Sequence, residues 1–132
     1  MPAINQKVTF WRGDTGELTF PVTNKDGTWK DLTGAQSARW WMGKNVNAKG
    51  SAVYIEKSNE PFGGLEIVNP GGGEEWDLVV TLRPVDTEGL KAGDFYHEAE
   101  VVDSAGKVST VMTGSFILVA TMIPDRTEDL AP

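Results

Sequence analysis

The strongest constraint on this chain is a period-two alternation of apolar and polar residues, interrupted at short intervals by glycine and proline. Leu18, Phe20 and Val22 alternate with Glu17, Thr19, Pro21 and Thr23, and Trp76, Leu78, Val80 and Leu82 alternate with Asp77, Val79, Thr81 and Arg83. Successive side chains of an extended strand point to opposite faces, so each run builds a strand with one apolar face. Runs of the same kind cover Lys7 to Trp11, Ser37 to Met42, Ala52 to Lys57, Leu65 to Val68, Phe95 to Asp103, Lys107 to Thr113 and Ser115 to Val119. The spacing predicts about nine strands separated by turns, hence an all-β sandwich or barrel. No stretch has the periodicity of a long amphipathic helix.

The turns carry their own chemistry. Asn24-Lys25-Asp26-Gly27 and Asp103-Ser104-Ala105-Gly106 each end in a glycine that can take positive φ, which predicts two hairpins. Asn69-Pro70-Gly71-Gly72-Gly73 reads as a flexible loop, and Pro84 to Leu90 as one helical turn with Asp86 at its N-cap. A length of 132 residues predicts a single domain, 1–132. Its core covers about 7–119, between a short N-terminal arm (Met1 to Gln6) and a polar C-terminal tail at 120–132.

Composition excludes several classes of chemistry. With no cysteine and a single histidine, thiol nucleophiles, thiolate metal sites, a disulfide scaffold and most zinc or triad chemistry are ruled out, and no cofactor or metal is expected. The net charge of −7 lacks the basic balance that phosphate-backbone binding needs, so nucleic acid is not an expected partner. No apolar run is long enough to span a membrane, so no membrane insertion is expected, and Met1-Pro2-Ala3-Ile4-Asn5-Gln6 lacks the layout of a signal peptide. Residues 1–55 hold seven bases and four acids, whereas 56–104 hold three and twelve. Such asymmetry either places opposite potentials on two flanks, suiting head-to-tail contacts between copies, or is solvated charge.

Several residues have chemistry of their own. Arg12-Gly13-Asp14 spells an adhesion tripeptide, but glycines around it make it a turn. Asn24, Asp26 and Asp31 resemble part of a calcium loop, interrupted by Lys and Trp, so a hairpin is the better reading. Glu98 and Glu100 share one face of a strand, and Glu74 and Glu75 follow the triple glycine; nothing around either pair builds the pocket that a catalytic carboxylate pair needs, and solvated charge is expected. His97 alternates with Phe95, Ala99 and Val101 on an apolar face, which marks a core or interface residue. Five tryptophans are more than a small core needs. Trp40 and Trp41 must point to opposite sides of a strand, and Trp40 shares its face with Ala38 and Met42 and belongs inside. Trp11, Trp29 and Trp41 are left as candidates for an oligomer interface or a sugar-stacking platform.

The order of motifs is itself informative. It runs from Trp11-Arg12-Gly13-Asp14-Thr15-Gly16 through Asn24-Lys25-Asp26-Gly27 and Asp31-Leu32-Thr33-Gly34-Ala35 to Pro84-Val85-Asp86-Thr87. It continues with Leu90-Lys91-Ala92-Gly93-Asp94-Phe95-Tyr96, Asp103-Ser104-Ala105-Gly106 and Gly114-Ser115-Phe116-Ile117-Leu118-Val119. Over residues 7–119 this resembles the immunoglobulin-like β-sandwich modules of tailed-phage virion proteins, such as the N-terminal domain of the baseplate upper protein. The resemblance implies a single immunoglobulin-like antiparallel β-sandwich of about seven to nine strands. In it Trp40 matches the tryptophan of strand C, and the hydroxyl of Tyr96, in Gly93-Asp94-Phe95-Tyr96, closes a corner on nearby backbone. The inter-sheet cysteine pair is missing, which suits assembly in the host cytoplasm.

Three functions follow as expectations. The first is a non-enzymatic bacteriophage virion structural protein, a tail, baseplate, neck or head component, repeated as a homo-oligomer or in several copies among other virion proteins. The second is a carbohydrate-binding or host-adhesion module that stacks a host glycan on Trp29 and Trp41. The third, a hydrolase built on Glu74, Glu75, Glu98 or His97, lacks a visible nucleophile and base.

Overall fold

The alternating runs become two facing sheets. The structure is a computed structural model that describes residues 4–24 and 26–120. Its strands are β1 (Ile4–Asn5), β2 (Val8–Trp11), β3 (Gly16–Pro21), β4 (Ser37–Gly43), β5 (Val53–Ser58), β6 (Leu65–Val68), β7 (Asp77–Leu82), β8 (Gly93–Val102) and β9 (Val108–Val119). A single helical turn, α1 (Pro84–Thr87), joins β7 to β8. The larger sheet runs β1-β9-β8-β4-β5, with β2 also paired to β9, and the smaller runs β3-β7-β6. The chain crosses between sheets after β2, β3, β5 and β7 and makes hairpins at β4-β5, β6-β7 and β8-β9. That connectivity is the immunoglobulin-like sandwich.

Each inner face is the apolar half of an alternating run. Phe20 and Val22 from one end of the small sheet, Leu78, Val80 and Leu82 from β7, Trp40 and Met42 from β4, and Phe116 and Leu118 from β9 are all buried in one cluster. Burying a side chain of this size contributes about 1.5–3 kcal/mol, which makes this interleaved layer the main stabilising element. Both expected hairpins form. The N–H of Gly27 donates to Asn24 O (3.0 Å) and that of Gly106 to Asp103 O (3.0 Å), with φ of 90° and 85° at the two glycines. Lys25, the remaining residue of the first hairpin, lies outside the described residues.

Four expectations need correction. The sandwich is not wholly antiparallel, because β1 and β2 run parallel to β9. The N-terminal arm is partly sheet: Ile4 and Asn5 pair with Met112 and Thr113, while Met1–Ala3 and the tail from 121 onwards lie outside the described residues. The two runs before and after Gly114 form one strand, β9. A register shift opposite Ala99 and Glu100 lets Val111 and Met112 both face inward. Asp86 is the third residue of α1 and not its cap; its Oδ2 accepts the N–H of Arg83 (2.7 Å), which precedes the helix.

The basic and acidic segments of the chain meet within the large sheet. Segment 1–55 supplies β4, and segment 56–104 supplies β8 directly beside it, so Arg39 of β4 ion-pairs with Glu100 of β8.

Candidate functional site

The structure separates the three candidate tryptophans. Trp41 lies on the outer face of the large sheet and Trp11 at the end of β2, with β9 and β8 between them. Trp29 sits in the hairpin that continues from β3, bridged to Thr23 at one end of the small sheet. All three are exposed, at 53% for Trp11, 37% for Trp29 and 36% for Trp41. Trp41 borders the two depressions on the large sheet, and Trp29 a separate cleft at the end of the small one.

Around Trp41 the outer face is built from β4, β8 and β5. Arg39, two residues along β4, holds its guanidinium 5.5 Å from the Trp41 ring centroid and pairs with the Glu100 carboxylate. Glu98 stands opposite Trp41 on β8, and Glu56 opposite it on β5. On the β8 side the depression is about 100 Å³. On the β5 side a hollow of about 420 Å³ extends from Trp41 to Asn59 and Glu60. Tyr96 is on the same outer face. Burial first, then the charge and hydrogen bonding of Glu98, push its hydroxyl up to about 12.

The loop beyond Glu60 carries a residue that the alternation analysis passed over. Phe62 is fully exposed and has φ of 63°, the one non-glycine at positive φ among the described residues. The loop is closed by Ser58 N–H to Gly63 O (3.0 Å) and Gly63 N–H to Glu60 O (2.8 Å), so the ring is presented on a hydrogen-bonded tip. The left-handed backbone costs about 1–2 kcal/mol for a residue with a side chain. The signal in the sequence was Pro61-Phe62-Gly63-Gly64, a lone aromatic flanked by turn formers.

A second concavity lies at the other end of β6. A cleft of about 510 Å³ is bounded by Thr28, Trp29, Asp31 and Thr33 from one loop, and by Asn69, Gly72, Gly73, Glu74 and Trp76 from another. The glycine loop expected to be flexible is pinned. Asn69 Nδ2 donates to Gly73 O (2.8 Å) and Glu75 O (2.6 Å), and Pro70–Gly72 forms a tight 3-10 turn. On the facing loop Asp31 Oδ1 accepts the N–H of Thr33 (2.9 Å), and bonding to Thr33 holds this carboxyl below its usual range.

The remaining motifs are structural. His97 is buried in the large sheet: Trp40 Nε1–H donates to its Nδ1 (3.0 Å), and its Nε2 meets Gln6 O (2.7 Å). That fixes a neutral ring with the proton on Nε2 and leaves neither nitrogen for proton transfer, so the expected core role holds. Arg12-Gly13-Asp14 is the turn after β2. It docks on α1 through Gly13 N–H to Thr87 Oγ1 (2.8 Å) and on Leu90 O through Arg12 Nη1 (3.3 Å). Asp26 of the suspected calcium loop accepts the N–H (3.0 Å) and hydroxyl (2.6 Å) of Thr28 through one oxygen. No protein-family model and no curated protein sequence matches the chain.

Proposed function

We propose that this protein is a non-enzymatic structural protein of a tailed-phage virion, repeated in the particle and joining components of the tail, baseplate, neck or head. The observation that carries the reading is the outer face around Trp41, whose hollow extends to Asn59 and Glu60, at the start of the loop that presents the fully exposed Phe62. A monomer gains nothing from a strained, fully exposed Phe62. A partner that covers it recovers about 1.5–3 kcal/mol from the ring alone. Further support comes from the motif order over residues 7–119, whose turns and strand ends fall where an immunoglobulin-like sandwich turns. Glu56, Glu60, Glu98 and Glu100 rim this face, so the matching surface on the neighbouring virion protein is rich in Arg and Lys. The bonded nitrogens of His97 and the Arg39–Glu100 pair favour a non-enzymatic role.

The test is absolute mass by light scattering across a concentration series, together with co-purification with particles, for the native chain and a Phe62→Ser/Trp41→Ala variant. Self-association or particle binding that the variant loses, while keeping its circular dichroism, is the expected result. A chain monomeric at every concentration that also fails to co-purify with particles contradicts the proposal.

A further inference from the structure

The cleft at the end of the small sheet lies beyond the Val68 end of β6, and the Phe62 loop beyond its Leu65 end. Its volume of about 510 Å³ falls within the range of roughly 300–1,000 Å³ typical of small-molecule sites. Of the two depressions beside Trp41, one is only about 100 Å³; the other, about 420 Å³, has Trp41 as its one aromatic wall, and the guanidinium of Arg39 already occupies the space over that ring.

The groups lining the cleft are specific in kind. Trp29 contributes an exposed indole and Trp76 a half-buried one packed against the core. Asn69 uses its Nδ2 twice on the local backbone, so the atom it has left to offer is the acceptor Oδ1. Asp31 commits Oδ1 to Thr33 and retains Oδ2. The Thr28 hydroxyl is already engaged by Asp26 and by Asn24 Nδ2. Glu74 adds a second carboxylate, and no basic residue is among the lining groups. A cleft rich in acceptors and aromatic surface is complementary to a ligand that brings several hydroxyl donors, an apolar C–H face and no negative charge. The walls are set in advance by the Asn69 clamp and by the hydrogen bonds of the Asn24–Thr28 hairpin, which lowers the ordering cost of binding.

We propose that the cleft between Trp29, Asp31, Asn69, Glu74 and Trp76 binds a neutral oligosaccharide, with a sugar ring on the Trp29 indole and its hydroxyls donating to Asp31, Glu74 and Asn69. The site is independent of the assembly face, and it stands or falls without reference to whether the protein is a virion component.

The test uses the full chain, titrated with maltotriose, cellotriose and chitotriose as neutral sugars, sialyllactose as an anionic one and choline as a cation, followed by tryptophan fluorescence and calorimetry. The expected result is saturable binding of at least one neutral sugar. Trp29→Ala weakens it by roughly tenfold or more, Glu74→Ala on the exposed loop weakens it less, and Trp41→Ala leaves it unchanged. Glu74→Ala keeps the test decisive should Trp29→Ala fail to fold. No binding of any neutral sugar, preference for sialyllactose or choline, or loss of binding on Trp41→Ala overturns the proposal.

Discussion

Acidification is predicted to destabilise the sandwich through His97, whose protonation at Nδ1 displaces the Trp40 indole N–H and leaves the Nε2–H bond to Gln6 O in place. The ring is buried among Phe20, Trp40 and Phe116, with centroids at 5.6, 5.9 and 5.8 Å, while Glu98 and Glu100 of the same strand face the opposite side. Burial lowers its pKa from the ordinary value of 6.5, against a smaller opposing effect of the bond to Gln6. A second proton would also have to enter at Nδ1, which accepts the Trp40 indole N–H. The folded state therefore holds His97 neutral where the unfolded chain protonates it. Stability is fully present above 6.5 and is lost as the pH falls below that value toward the lowered folded-state pKa. If the folded ring stays neutral to pH 5, the loss reaches about 2 kcal/mol, or roughly 6–10 °C in Tm for a domain of this size. His97→Gln keeps one acceptor and one donor but cannot titrate, so its Tm should change far less between pH 7.5 and 5. Thermal melts of both proteins across this range give the comparison, and the imidazole resonances in NMR give the protonation state independently of any variant. A His97 that titrates at or above 6.5, or equal pH profiles for the two proteins, would refute the reasoning.

Three further outcomes follow. Lys57 Nζ and Asp86 Oδ2 pair at 2.9 Å with side-chain exposures of 9% and 14%. Asp86→Ala leaves a nearly buried ammonium and should cost about 3–5 kcal/mol in urea melts, whereas Glu100→Ala, which releases the exposed Arg39 guanidinium to solvent, should cost about 1 kcal/mol or less. A side chain at Gly114 would collide with the Gln6 carbonyl where His97 reaches across to it, so Gly114→Ala should destabilise by about 1–3 kcal/mol and weaken amide protection in β1. Tyr96 should ionise at about 12 in an ultraviolet titration. Because this pKa is raised, its stabilising effect is present below the ordinary value of 10.0 and lost as the pH rises toward 12; Glu98→Gln should bring it down.

Alternation made the sheets legible because a sandwich buries one face of each strand. Leu65–Val68 is β6 to the residue, and the inward side of Trp40 and His97 follows from their neighbours Ala38, Met42, Ala99 and Val101. Elements that depend on distant partners were not legible. Ile4–Asn5 is too short to show a period and is defined by Met112–Thr113 at the other end of the chain. Gly114 looked like a break because a glycine usually interrupts a strand, but here it makes room for Gln6. The cleft required two loops, one around Trp29 and one around Asn69, that meet only after the sheets have formed. Phe62 has no strand around it, and its exposure depends on a backbone conformation that alternation does not describe.

The most direct measurement of the proposed role is quantitative mass spectrometry of tailed-phage particles purified from lysates in which this chain is produced. A virion structural protein should be present at a fixed, reproducible number of copies per particle and resist removal by gradient purification. Its absence from such particles, with the chain recovered free in the lysate, would contradict that role.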